Sequence, residues 1–290
     1  MGIDVYQMVT DRMVAEIESG YIPWMKGWKG GRSGAYNRIS LRPYSLLNQL
    51  MLDHQDAYLT FNQVKQKGGH VKKGAKAEKV VFWKMLQDVT GELDEDGKFI
   101  VRNRPVLKYY NVFWIGDTIG IDRPKDEELN EIQTIREPEE IIAGYLNNGG
   151  PAFHNDKPSD RAFYRPATDE VVIPVIGQYE NAAEYYSTAF HELTHSTGHK
   201  SRLDRLGMDT KLAAFGSEDY SKEELVAELG AAMLCNIAGI ETPETFRNSA
   251  GYLQGWLKAL KNGKTLIVGA ASRAEKAVKF IIGEKEAACA

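Results

Sequence analysis

The sequence predicts an α+β fold in two domains, and three observations carry that reading. Runs with a 3.6-residue apolar period alternate with short β-branched and aromatic runs along the 290 residues. Charge is split unevenly: residues 1–122 hold 17 Lys and Arg against 14 Asp and Glu, whereas residues 123–290 hold 19 against 26. Between these halves, Arg123 to Glu140 is charged, carries Pro124 and Pro138, and has little apolar periodicity at its start. We therefore expect a mixed α/β domain over 1–122, a linker over 123–137 and a second domain over 138–290.

Composition narrows the class further. A hydrophobic content of 43% and a charged content of 26% are those of a soluble globular chain. No apolar run approaches membrane-spanning length, and the N-terminus lacks the basic start and apolar stretch of a signal peptide. The expectation is a cytoplasmic protein with no membrane partner. Cys235 and Cys289 are too few for a disulfide framework or a zinc knuckle, and Cys235 reads as a small buried residue.

Ile3 to Ser19 reads as an amphipathic helix, with Val5, Val9, Met13 and Ile17 on one face and Gly20 closing it. A Gly-rich loop follows in which Trp24 and Trp28 alternate with Lys26, Lys29 and Arg32. Tyr36, Asn37, Arg38, Tyr44 and Asn48 continue that composition. Aromatic rings stack on unpaired bases while lysine and arginine neutralise the phosphates between them, so these residues are candidates for a single-stranded DNA surface. Trp24, directly after Pro23, serves equally well as a core plug. Thr60 to Gly69 has the pattern of a short capped helix, and Lys72, Lys73 and Lys76 precede a strand-like Val80 to Trp83. From Pro23 to Lys84 there are 12 basic residues against 3 acidic ones, a concentration suited to a polyanion. Thr90 to Lys98 reads as a polar hairpin tip and Leu107 to Ile115 as a central strand.

In the second half, Pro138 starts a helix that Asn147 to Gly150 ends. Ala162 to Pro174 reads as a hairpin whose later strand, carrying Pro174, belongs at a sheet edge, where an extended peptide could pair. Asn181 then caps a helix in which Ala183, Tyr186, Phe190 and Leu193 form an apolar stripe. On it lies His191-Glu192-Leu193-Thr194-His195. Two imidazoles four residues apart share one helical face and can hold one metal ion, and Glu192 is placed to act as a general base on a water.

A catalytic zinc site needs a third protein ligand. His199 lies two turns beyond His191, too far to share a tetrahedral ion, and a metzincin pattern fails because its third position is Ser201. Glu224 is the better candidate, with Glu228 as an orienting or alternative carboxylate on the same helical face as Ala231 and Cys235. Glu224 also completes a capping box with Ser221. The expected cofactor is Zn²⁺ or another divalent metal, and Tyr185, Tyr220 and His199 all stay open as oxyanion partners. Ala270 to Ile282 reads as a terminal helix. The resemblance of Gly263-Lys264-Thr265 to a phosphate loop fails because Lys258 stands where a glycine is required.

Taken together, these motifs resemble the ArdC-type antirestriction proteins of conjugative and other mobile elements, and the N-terminal half is similar to that of some conjugative primases. The resemblance rests on Pro23-Trp24 with Trp28, Tyr44 to Asn48, Thr60-Phe61-x-Gln63 with Gly68 to Gly74, Tyr110 to Phe113, Tyr185-Tyr186, His191 to His199 and Glu223 to Glu228. It implies a single-stranded DNA-binding domain joined to a zincin-like, gluzincin-type metallopeptidase domain, with a role in protecting incoming DNA. The implied partners are single-stranded DNA and a protein substrate such as a host restriction component. The rival expectation is a non-catalytic single-strand binder whose metal serves stability alone.

Overall fold

The computed structural model describes residues 3–25, 34–93, 95–124, 137–205, 218–240 and 250–284, excepting the side chains of 25, 218–221 and 250–253. Helix α1 (Val5–Glu18) opens on Asp4, whose carboxylate accepts from the amides of Tyr6 and Gln7. Helices α2 (Leu46–Met51) and α3 (Phe61–Gln66) follow, the latter closed by the full Thr60–Gln63 capping box. Strands β1 (Tyr36–Asn37) and β2 (Ala57–Leu59) run parallel, and β3 (His70–Val71) later pairs with β6 (Thr118–Ile119).

The long strands β4 (Glu78–Leu93) and β5 (Phe99–Trp114) form an antiparallel ribbon that projects from the body. The four-stranded sheet has the order β1-β2-β5-β4, so the end of β5 is central, as its Leu107 to Ile115 composition indicates. The turn predicted over Thr90 to Lys98 is narrower than expected, because β4 runs on through Thr90 to Leu93.

The C-terminal half begins with α4 (Pro138–Asn147), which has proline in its first turn and ends at Gly149 with φ +88°. Strands β7 (Ala152–His154), β8 (Phe163–Arg165) and β9 (Glu170–Val172) form a sheet in the order β7-β9-β8. The strand before Pro174 is therefore central rather than at an edge. Proline is tolerated because β9 stops at Val172, two residues short of it, so no ladder hydrogen bond is lost. Helices α5 (Ala182–Ser196), α6 (Glu218–Ile237), α7 (Ala250–Asn262) and α8 (Leu266–Ile281) complete the described elements.

Helix α6 is buried on two sides. Ala231, Leu234 and Cys235 pack with Phe190 and Leu193 of α5, whereas Leu225, Val226 and Leu229 join Val9, Met13 and Leu50 from the N-terminal half. A helix apolar on both faces can sit only between two layers. The two halves thus share a core, with Trp24 set edge-on against Trp256 at 5.6 Å. Lys264 anchors that junction through Asp4 and Thr10, which gives the phosphate-loop-like residues a structural role. Among the described residues no helix is long and apolar enough to cross a membrane.

Candidate metal centre

Helix α5 is set locally by Asn181, whose side chain accepts from the Glu184 amide at 2.9 Å. Its apolar stripe buries Phe190 and Leu193 completely, which turns His191 and His195 towards α6. The two Nε2 atoms lie 3.1 Å apart, and the Glu224 carboxylate approaches each at 3.5 Å. His191, His195 and Glu224 are the His/His/Glu cluster among the described residues that could hold a metal ion. The edge of a tetrahedron with metal–ligand bonds of about 2.1 Å is about 3.4 Å, so these separations fit a divalent cation seated between them. Two imidazoles and a carboxylate suit zinc and also manganese.

The tertiary structure adds carboxylates on the far side of each imidazole. Glu228 Oε1 stands 3.9 Å from His191 Nδ1, on the side where a histidine-orienting group belongs. Glu223 Oε1 stands 3.6 Å from His195 Nδ1, a neighbour that sequence reasoning did not assign. Arg205 holds Glu223 through Nη2 at 2.8 Å and Nε at 3.3 Å. The same guanidinium donates to Thr197 Oγ1 at 2.7 Å and to the Thr194 carbonyl at 3.0 Å. No periodicity in the sequence links Arg205 to Glu223. The only local signal was that Glu223 adjoins the candidate ligand.

These charges shape the titration of the site. Burial alone lowers the pKa of His195, but the Glu223 carboxylate 3.6 Å from its Nδ1 and the charges of Glu192 and Glu224 push it up to about 9. For Glu223 burial raises the pKa, and His195 and Arg205 outweigh it to leave a net lowering. A metal must displace the His195 proton below that value. We expect metal affinity, measured by competition with a chelator, to weaken about tenfold per pH unit from pH 9 to pH 7. An affinity flat across that window would reject the raised pKa. In the metal-free fold the sign is opposite. The His195 contribution is complete below the unfolded value of about 6.5 and is lost as pH rises through about 9.

Glu192 is 9% exposed on the same helix. Tyr179 stands edge-on to Tyr185 at 5.5 Å, along the helix face that carries Thr188 and Glu192. Of the oxyanion candidates, Tyr185 accepts from Asn155 at 2.8 Å, and His199 bonds Ser201 at 2.7 Å beside Asp169. The Tyr220 side chain lies outside the described residues. Arg202 fastens the C-terminal end of α5 by donating to the Ser196 carbonyl at 2.8 Å and to both oxygens of Asp169.

The expected DNA contacts fare differently. Lys26, Trp28, Lys29 and Arg32 lie outside the described residues. Trp24 is 2% exposed, and Tyr36 and Tyr44 are buried, so none of these rings can stack on a base without opening the core. Asn48 is fully buried and bridges α2 to β4, donating to the Val81 carbonyl at 2.9 Å and accepting from the Val81 amide at 2.7 Å. These four are framework residues. Asn37 is also engaged in its own turn, accepting from the amides of Ile39 and Ser40, and Arg38 donates to the Asp122 carbonyl. Lys72, Lys73 and Lys76 are exposed, with Lys72 reaching the Gly116 carbonyl.

The helix bearing both histidines, the partner helix bearing a glutamate and the adjoining small sheet define a zincin-like metallopeptidase fold. Residues 144–273 match that family, and residues 3–113 match the N-terminal domain of anti-restriction factor ArdC. The whole chain is similar to the antirestriction protein ArdC of plasmid R388. Identity is 34% to its metal-free structure and 33% to its Mn(II)-bound structure, with TM-scores of 0.72 and 0.71. Each comparison covers 97% of this chain and 98% of ArdC. The chain belongs to the ArdC antirestriction family. It is also 32% identical over 297 residues to a DNA primase TraC of Escherichia coli, and 30% identical over 290 residues to the uncharacterized protein y4eC of Sinorhizobium fredii. Those matches cover 96% and 94% of this chain, but only 27% of the primase against 90% of y4eC.

Proposed function

We propose that this chain is a cytoplasmic antirestriction protein of a mobile genetic element that binds single-stranded DNA and carries a zinc-dependent peptidase site. The observation that carries the peptidase reading is the convergence of His191, His195 and Glu224, with Glu192 buried on the same helix. A divalent cation held by those three residues would lower the pKa of a bound water and polarise a peptide carbonyl. Glu192 takes the proton of the attacking water and delivers it to the leaving amine. Glu223 and Glu228 hold the imidazoles in orientation. Strand β8, which packs on α5 and forms one edge of its sheet, offers an extended substrate a place to pair. The basic N-terminal half, together with likeness to ArdC and to a DNA primase, supports the DNA-binding reading.

The test compares Glu192→Ala with the parent in metal content, DNA affinity, peptide hydrolysis and protection of incoming DNA. The variant is expected to keep metal and DNA while losing about 10²–10⁴-fold in hydrolysis. Unchanged hydrolysis would reject Glu192 as the base. Full protection by the variant would favour the rival reading, a strand-coating protein with a metal that serves stability alone.

A further inference from the structure

Trp24, Tyr36 and Tyr44 are buried and Trp28 lies outside the described residues, so other exposed rings among the described residues of the N-terminal half are candidates for stacking on bases. The β4–β5 ribbon has two faces of opposite character. In its register, Phe82 opposes Lys108, Lys84 opposes Val106, Leu86 opposes Arg104 and Val80 opposes Tyr110. Alternation along each strand puts these residues on one face. On the other face Trp83, Met85 and Val89 oppose Leu107, Pro105 and Val101, with no charged residue among them.

Phe82 and Tyr110 are each 45% exposed and stand edge-on at 5.9 Å, near the body of the protein. Beneath Phe82, the buried Tyr44 ring lies at 6.2 Å and braces the pair. Lys84 and Lys108 are exposed and pair with no carboxylate among the described residues. Arg104, further out, is bonded to Asp88 at 2.7 Å. Towards the tip Glu95 and Asp96 are exposed and Glu92 is paired with Arg102 at 3.3 Å, so the tip attracts a polyanion less than the proximal part does.

The geometry points to the Phe82–Tyr110 face of the ribbon, with Lys84 and Lys108, as the platform on which single-stranded DNA stacks. Two half-exposed rings on a paired antiparallel ribbon supply sequence-tolerant stacking, and two ammonium groups with no carboxylate partner among the described residues supply phosphate contacts. Apart from Lys79 at its base, the opposite face carries no charged residue in this register, so it offers phosphates fewer partners. This placement rests on the proposed binding of single-stranded DNA.

The test uses the full chain and fluorescence anisotropy with a labelled oligo-dT across a salt series. Phe82→Ala with Tyr110→Ala is expected to weaken binding about tenfold or more while leaving the salt slope unchanged. Lys84→Ala with Lys108→Ala, which alters exposed side chains only, is expected to flatten the log–log salt slope by about 1.4. If the parent binds and both double variants bind within about twofold of it with the same slope, the placement is overturned while strand binding stands. Loss of affinity on Trp83→Ala with Met85→Ala instead would assign the opposite face. A parent that does not bind oligo-dT overturns the placement and the underlying reading together.

Discussion

Arg205→Ala is expected to destabilise the fold by about 3 kcal/mol, because it strips a largely buried carboxylate of its guanidinium partner and leaves only His195 beside it. Arg205 and Glu223 have side chains only 9% and 15% exposed, so solvent screens the pair weakly. The same substitution removes the donors to Thr194 O and Thr197 Oγ1, loosening the C-terminal turn of the helix that carries both histidines. Metal affinity should fall about 10–100-fold, the usual cost of losing an orienting partner behind a ligand. Arg205→Lys keeps the charge but not the fork, and should recover only part of both losses. The acid limb of stability gives an independent readout. Since the Glu223 pKa is lowered in the fold, its contribution is complete above the unfolded value of about 4.3 and disappears as pH falls through the folded one. Arg205→Ala should flatten that limb in denaturant titrations. A variant with parental stability and metal affinity would show that the clamp does not position His195.

Gly230→Ala is the second large effect, and it acts through packing. A Cβ built on Gly230 would come within 2.5 Å of Thr194 Cγ2 and 2.7 Å of its Oγ1. Alanine improves intrinsic helix propensity by about 1 kcal/mol, which alone would stabilise α6. Overpacking a tight contact costs about 1–3 kcal/mol, and here it meets a β-branched side chain whose hydroxyl is bonded to the Phe190 carbonyl at 2.7 Å. Thr194 cannot swing aside cheaply, so the two helices must separate. Glu224 approaches the histidines across that same interface, and we expect metal affinity to fall about tenfold or more along with stability. Adding Thr194→Ser, which removes Cγ2, should restore part of each loss in a double-mutant cycle. A rise in melting temperature on Gly230→Ala with unchanged metal binding would refute the close-packing account.

Much of the centre was legible because helical spacing is local. His191, Glu192 and His195 are fixed relative to one another by 3.6 residues per turn, whatever the helix packs against. Glu224 was legible for a weaker reason, as one of two downstream carboxylates, with Glu228, on a face of small residues. Glu223 was not, because its role depends on Arg205 arriving from a separate turn. Candidate DNA contacts were the hardest to read, since aromatic composition does not distinguish a stacking ring from a core ring. Trp24, Tyr36 and Tyr44 lie in the core, while Phe82 and Tyr110 stand half exposed on the ribbon.

From the chain of residues alone came the helix carrying two candidate metal ligands, its general-base candidate, the basic N-terminal segment and the two-part α+β plan. Each of these follows from periodicity, capping or charge within a short window. Only the tertiary structure decided that α1 and α2 share a core with α6, α7 and α8, that Glu223 and Arg205 back His195, and that the long ribbon carries its aromatics into solvent. Those features are contacts between segments far apart in sequence, where burial is set by the packing partner and not by the residue itself.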